Sequence, residues 1–135
     1  MIEAYSNNVT VAENALVPFS STFVKGNTVE MSGDSTIKFK KCGIYTLSLN
    51  ANVVANAGGL VSLQLVVNGV KQDNAVAAVT AADTTSTHNI SFTTKIQVPS
   101  DSTGCACSPD FTVSVINNGV SAIYSLVDVL VTKLV

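Results

Sequence analysis

The sequence predicts an all-β domain: an antiparallel two-sheet β-sandwich of about eight to ten strands. Three observations carry this. Valine is the commonest residue at 21 and threonine numbers 14, both β-branched and suited to a pleated, half-buried surface. Apolar residues recur with period two in several separate runs, the mark of strands with one buried face. Turn residues separate those runs at regular intervals, and no ten-residue stretch shows a clean helical period.

In chain order, the first 23 residues are weakly patterned. Val9 and Val11 alternate with Thr10, and Leu16-Val17-Pro18-Phe19 makes a second short piece. Pro18 has no amide hydrogen to donate to a ladder. Residues 1–23 are therefore expected to form an N-terminal arm with an edge strand, and residues 24–135 the sandwich domain. Val29 to Ser32 reads as a short strand and Ser32-Gly33-Asp34-Ser35 as a turn. Ile37 and Phe39 then face inward between Lys38 and Lys40.

The centre of the chain is the stretch from Lys40 to Gly69. Tyr45, Leu47, Leu49, Ala51, Val53 and Ala55 alternate with Thr46, Ser48, Asn50 and Asn52. Val61, Leu63, Leu65 and Val67 form a second alternating run. Asn56-Ala57-Gly58-Gly59 lies between the two, so the stretch is expected to be one long hairpin. Asn68-Gly69 closes the second strand. The Ala-rich run from Ala75 to Val79 is short and bounded by Asp73-Asn74 and Asp83-Thr84-Thr85, and it is read as a strand rather than a helix.

His88 to Val98 alternates cleanly, with Ile90, Phe92, Thr94, Ile96 and Val98 on one face, and Pro99 ends it. The longest loop is expected from Ser100 to Pro109. Phe111, Val113 and Val115 alternate next, and Asn117-Asn118-Gly119 is a hairpin signal. On the last strand, about Ala122 to Leu134, Ile123, Val127, Val129 and Val131 are expected on one face. Tyr124, Leu126, Leu130 and Leu134, with Asp128 among them, take the other. An apolar second face on a terminal strand needs a partner.

The chain is 47% hydrophobic and 12% charged, with a formal net charge of −2, no Arg and no Trp. Seven scattered Lys do not make a phosphate-binding patch, which excludes a nucleic-acid partner. No apolar run approaches the ~20 residues of a spanning helix, so no membrane partner is expected. Met1-Ile2-Glu3-Ala4 lacks the basic start of a signal peptide, and the chain is expected to fold in a cytoplasm. Three Cys, an odd number, argues against a disulfide framework.

Chemistry-bearing residues are sparse. Cys105-x-Cys107 with Cys42 and the single His88 would be four ligands, but two thiolates two apart is poor spacing for zinc. Thiols kept reduced in a cytoplasm account for them, and no cofactor is implied. His88 stands at a strand start after a Thr/Ser-rich turn, a common place for an exposed His. The aspartates Asp73, Asp83, Asp101 and Asp110 lie beside turn residues, where turn chemistry explains them. No Asp-x-Asp-x-Asp-Gly calcium loop occurs. No catalytic constellation stands out, so an enzyme is not expected.

Phe39-Lys40-Lys41-Cys42-Gly43-Ile44-Tyr45-Thr46-Leu47-Ser48 resembles the Gly-apolar-Tyr-x-apolar-Ser phrase of the tumour-necrosis-factor/C1q-like jelly rolls. Leu63-Gln64-Leu65-Val66-Val67-Asn68-Gly69 resembles that family's x-L-x-V-N-G hairpin, and Asn117-Asn118-Gly119 before a final apolar strand fits as well. With no collagen-like Gly-X-Y repeat in the chain, the resemblance leans toward jelly-roll modules of tailed-bacteriophage virions. Cys105-Ala106-Cys107-Ser108-Pro109 is similar to a Cys-x-Cys-x-Pro phrase of such modules.

The resemblance implies a TNF-like jelly roll and a homotrimer. It implies a virion surface role, as a capsid decoration or head-fibre protein bound to the major capsid protein or another virion protein. Tyr45, Tyr124, Leu126 and Leu130 are then expected at the trimer interface. The N-terminal arm, through Ile2, Tyr5, Val9 and Val11, is expected to attach to the capsid. The alternative is a module that binds a host-surface glycan.

Overall fold

The computed structural model describes residues 1–99 and 111–135. Ten strands form two five-stranded sheets, and no helix occurs among the described residues. The strands are β1 (Ile2–Val11), β2 (Ser21–Val24), β3 (Val29–Ser32), β4 (Thr36–Phe39), β5 (Gly43–Ala55), β6 (Gly59–Val67), β7 (Val70–Ala81), β8 (His88–Val98), β9 (Thr112–Asn117) and β10 (Ala122–Lys133). The first sheet has the order β2-β1-β10-β5-β8, the second β3-β4-β9-β6-β7. Every pairing is antiparallel. The expected antiparallel sandwich is the observed architecture, and the Ala-rich run is strand β7.

The alternating runs build the core as their periodicity requires. Tyr45, Leu47, Leu49 and Val53 of β5 face Val61, Leu63 and Leu65 of β6 across the gap, all buried. Phe39 lies between two aromatic neighbours, edge-on to Tyr45 at 4.7 Å and to Phe111 at 5.5 Å between ring centroids. The Tyr45 hydroxyl donates to the Lys41 carbonyl at 2.7 Å, which lets a polar tip stay inside.

Two expected hairpins are crossings instead. β5 and β6 lie in different sheets, so Asn56 to Gly59 carries the chain over the end of the sandwich. Gly59, at φ +146, supplies a backbone conformation that L side chains rarely adopt. β9 and β10 also lie in different sheets, joined through Asn117-Asn118-Gly119. A true two-residue hairpin does join β6 to β7. Val67 pairs with Val70, and Asn68 and Gly69 sit at φ 50° and 84°, as a type I′ turn requires.

Asn117 anchors its crossing. The side chain is fully buried, and its amide donates to the carbonyls of Val11 (3.0 Å), Ala12 (3.2 Å) and Val120 (3.0 Å). Its oxygen accepts the Gly119 amide at 3.1 Å. One residue thus ties the end of β1 to the turn that enters β10.

The N-terminal segment differs from the expected arm. β1 pairs with β2 on one side and β10 on the other, inside the first sheet. Ile2, Ala4 and Ser6 point into the core. Ala and Ser at core positions mute the hydrophobic alternation. The Ser6 hydroxyl is satisfied by donating to the Pro18 carbonyl at 2.6 Å and accepting the Ser20 amide at 2.8 Å. At Asn8, φ is +54°, and beyond it the core face passes from even to odd positions, to Val9 and Val11.

β10 changes phase at the same level. Tyr124 pairs with Val53 and Leu126 with Asn52, so Ser125 is an extra residue relative to β5. Before this bulge Ala122 and Tyr124 face the core; after it Val127, Val129 and Val131 do. In the β1–β10 ladder, Asn8 and Ser125 both lie between the Asn7–Leu126 and Val9–Tyr124 rows.

Candidate assembly surface

The outer face of the β2-β1-β10-β5-β8 sheet is set by the register. One row runs Phe23, Glu3, Leu130, Ser48, Thr93; the next Tyr5, Asp128, Asn50, Ser91; the next Asn7, Leu126, Asn52, Asn89. Directly opposed residues of antiparallel strands share a face, so all these side chains lie outside the core. The face has two halves.

On β2, β1 and β10 it is apolar around two acids. Phe23 is 56% exposed, Ile123 42% and Leu130 39%, beside half-buried Tyr5 and Leu126. On β5 and β8 it is amide and hydroxyl. Asn89 donates to the side-chain oxygens of Asn50 and Asn52, both at 2.9 Å, and the hydroxyls of Ser48 and Thr93 lie 3.3 Å apart.

Glu3 and Asp128 are the charged residues of the three central rows. Asp128 is half-buried, and its Oδ1 has no solvent contact and no hydrogen-bond partner among the described residues. Its carboxyl is pushed up to about 6, chiefly by burial, then by the Glu3 charge and a hydrogen bond that the protonated Asp128 donates to the Glu3 side chain. Among the described residues neither carboxyl forms an ion pair with a cation.

The expected site residues divide between this face and the core. Leu126, Leu130 and Tyr5 lie on the face. Tyr45 and Tyr124 do not: both are fully buried between the sheets of their own chain. For Tyr124 the bulge at Ser125 is the cause, because it puts the ring on the core side of a strand read as unbroken. Ile2 and Val11 are core residues, and Val9 packs against the core, so these three side chains are not presented to a capsid.

Asp128 lies on the face the sequence assigns it, whereas Ile123, expected beside Val127, is turned outward ahead of the bulge, and Phe23 and Glu3 carry no signal for the face in the sequence pattern. Asp128 inside an otherwise apolar alternate face was the available signal. Cys42 is buried, while Cys105 and Cys107 lie outside the described residues. No group of three metal-ligating side chains occurs among the described residues. No described helix is long and apolar enough to cross a membrane.

A groove of about 400 Å³ flanks the kink in β1. β2 pairs with β1 only from Ile2 to Tyr5, which leaves the later part of β1 without a strand on that side. Asn7, Asn8, Thr10, Ser20 and Asp34 line the groove over Val9, Pro18 and Phe19.

No protein-family description matches the sequence, and no curated protein matches it. Solved structures match over nearly the whole chain. Murine APRIL at pH 5.0 superposes with a TM-score of 0.67 at 9% identity, over 98% of both chains. Eiger TNF from S. frugiperda gives 0.64 at 11% identity, over 98% of this chain and 92% of that one. The fold is a TNF-like jelly roll. PRD1 vertex protein P5 gives 0.57 at 18% identity, over 99% of this chain and 96% of that one. At such identities the likeness establishes the fold and leaves function to the surface.

Proposed function

We propose that this jelly roll is a non-enzymatic structural protein of a virion surface, a homotrimeric capsid decoration or head-fibre module of a tailed bacteriophage. The observation that carries it is the outer face of the β2-β1-β10-β5-β8 sheet. Tyr5, Phe23, Ile123, Leu126 and Leu130 form an apolar strip continuous with an uncharged amide field. Such composition, apolar around a single pair of acids, is that of a protein–protein contact rather than a solvated sheet.

The jelly roll shared with a vertex protein and the sequence phrases of phage modules support the virion setting. The other partner is the major capsid protein or a neighbouring virion protein, and the chain folds in the host cytoplasm. Of Ile2, Tyr5, Val9 and Val11, Tyr5 lies on the outer face, where it serves the contact between copies rather than the capsid. Size-exclusion chromatography with light scattering tests the trimer. A trimeric wild type that becomes monomeric with Leu130→Arg is expected; a wild type that stays monomeric at micromolar concentration defeats the proposal.

The groove beside Asn8 favours a second reading. Its amides, hydroxyls and single carboxylate over an apolar floor suit a neutral glycan. Reproducible glycan-array binding that is lost in Asp34→Ala would put this reading first.

A further inference from the structure

We infer that the Glu3–Asp128 carboxyl pair makes association between copies of this chain proton-dependent, tighter in acid and looser in alkali. The inference rests on the trimeric reading and names the chemistry that governs its interface. Glu3 and Asp128 sit on adjacent strands of the outer face, in successive rows of the β1–β10 ladder. Leu130, Leu126 and Tyr5 surround them, the side chains with most to gain from a second copy.

The surroundings of Asp128 offer little to offset a charge. From β1, Glu3 and Tyr5 face it. From β5 the neighbours are Ser48, Asn50 and Asn52, none of which titrates. On β10 the nearest ionisable side chains are Tyr124, which points into the core, and Lys133 at the strand end. Lys95 lies beyond β5 on β8, in the Thr132–Thr46 row, and Lys25 follows the end of β2. Oδ1 of Asp128 is already shut off from solvent and has no hydrogen-bond partner among the described residues.

A second copy laid on this face excludes more water. That desolvation favours the neutral carboxyl, so association takes up protons. The process is an acid–base equilibrium: each pair binds one proton from solvent and loses one negative charge. Linkage then fixes the size of the effect. Affinity rises about tenfold per pH unit for each proton taken up, up to about a thousandfold per unit when three pairs each take one.

The test is sedimentation velocity from pH 4.5 to 8 at constant ionic strength, on wild type, Asp128→Asn and Glu3→Gln. Circular dichroism on each sample confirms folding. Wild type is expected to shift from trimer toward monomer as pH rises through about 6, where the Asp128 carboxyl titrates in the single chain. Asp128→Asn is expected to assemble equally at pH 5 and pH 8, and Glu3→Gln to move the transition to lower pH. A wild-type trimer equally tight across the range overturns the proton linkage and leaves the trimer standing. A wild type monomeric at every pH overturns both. Carboxyl NMR on a monomeric variant that adds no charge beside the pair, Leu130→Gln, gives a separate check, because an Asp128 that titrates as an ordinary exposed aspartate overturns the pair whatever the assembly.

Discussion

Replacing Asn117 with Ala removes a fully buried amide that four backbone groups share. The Nδ2 group has two hydrogens for three carbonyls, so two full bonds are lost there, and the bond accepted from Gly119 makes a third. At a net ~1 kcal/mol each these amount to about 3 kcal/mol. The carbonyls left in a space closed to water add about 1 kcal/mol or more, for a total of about 3–5 kcal/mol. A domain of this size is stable by about 5–15 kcal/mol, so the variant folds near its limit or fails to fold at 37 °C. Asn118→Ala is the control. Its side chain donates to the Oε1 of buried Gln64 at 3.1 Å and accepts from exposed Lys71 at 2.9 Å, and about 1–2 kcal/mol is expected. Urea denaturation followed by circular dichroism at pH 7 measures both. An Asn117→Ala midpoint within about 1 kcal/mol of wild type, or equal costs for the two variants, refutes the clamp.

Two more perturbations separate groups that look alike in sequence. Tyr45→Phe loses the bond to the Lys41 carbonyl and is expected to cost about 1 kcal/mol, whereas Tyr124→Phe removes a buried hydroxyl that has no partner among the described residues and is expected to be neutral or stabilising. Thermal melts of the pair decide it, and equal losses would contradict the assignment. For Asp128→Asn the sign follows from a carboxyl raised from 3.8 to about 6 in the folded chain. Stability associated with the neutral form is complete below 3.8 and lost as pH rises through about 6. Full burial would make the loss about 3 kcal/mol; a half-buried, solvent-screened group brings it to about 1 kcal/mol. In a monomeric background that adds no charge beside the pair, Leu130→Gln, Asp128→Asn is therefore expected to gain stability over its parent at pH 7.5 and to match it at pH 3.5.

Period two made most strands legible, because a strand that buries one face writes its environment into every second residue. The same pattern does not say which sheet a strand joins. β5 and β6 alternate just as hairpin partners would, since both bury one face against the common core. Whether Asn56–Gly59 turns within a sheet or crosses the roughly 10 Å to the other is decided by packing elsewhere. β1 escaped notice because Ala4 and Ser6 fill core positions and Asn8 shifts the phase. Tyr124 reads as an outer-face residue because nothing at Ser125 announces a bulge. Of the assembly surface, Leu126 and Leu130 were readable as apolar residues without a core to enter. The Glu3–Asp128 pair was not, because the two come from opposite ends of the chain and only the β1–β10 register joins them.

The paired irregularities at Asn8 and Ser125 bear on how the chain avoids misfolding. A regular ladder can slip by one residue and lose only the sidedness of its side chains. Here β1 and β10 each exchange faces at one level, between the same two rows. Sliding either strand would separate the two exchange points, and on every row between them an apolar side chain would face a polar one across the ladder. The defects therefore act as a key: a single alignment of β1 on β10 matches both halves at once. A sheet with an exposed apolar outer face and many similar Val-rich strands has many wrong partners available to it, and this key discriminates against them before any second copy docks.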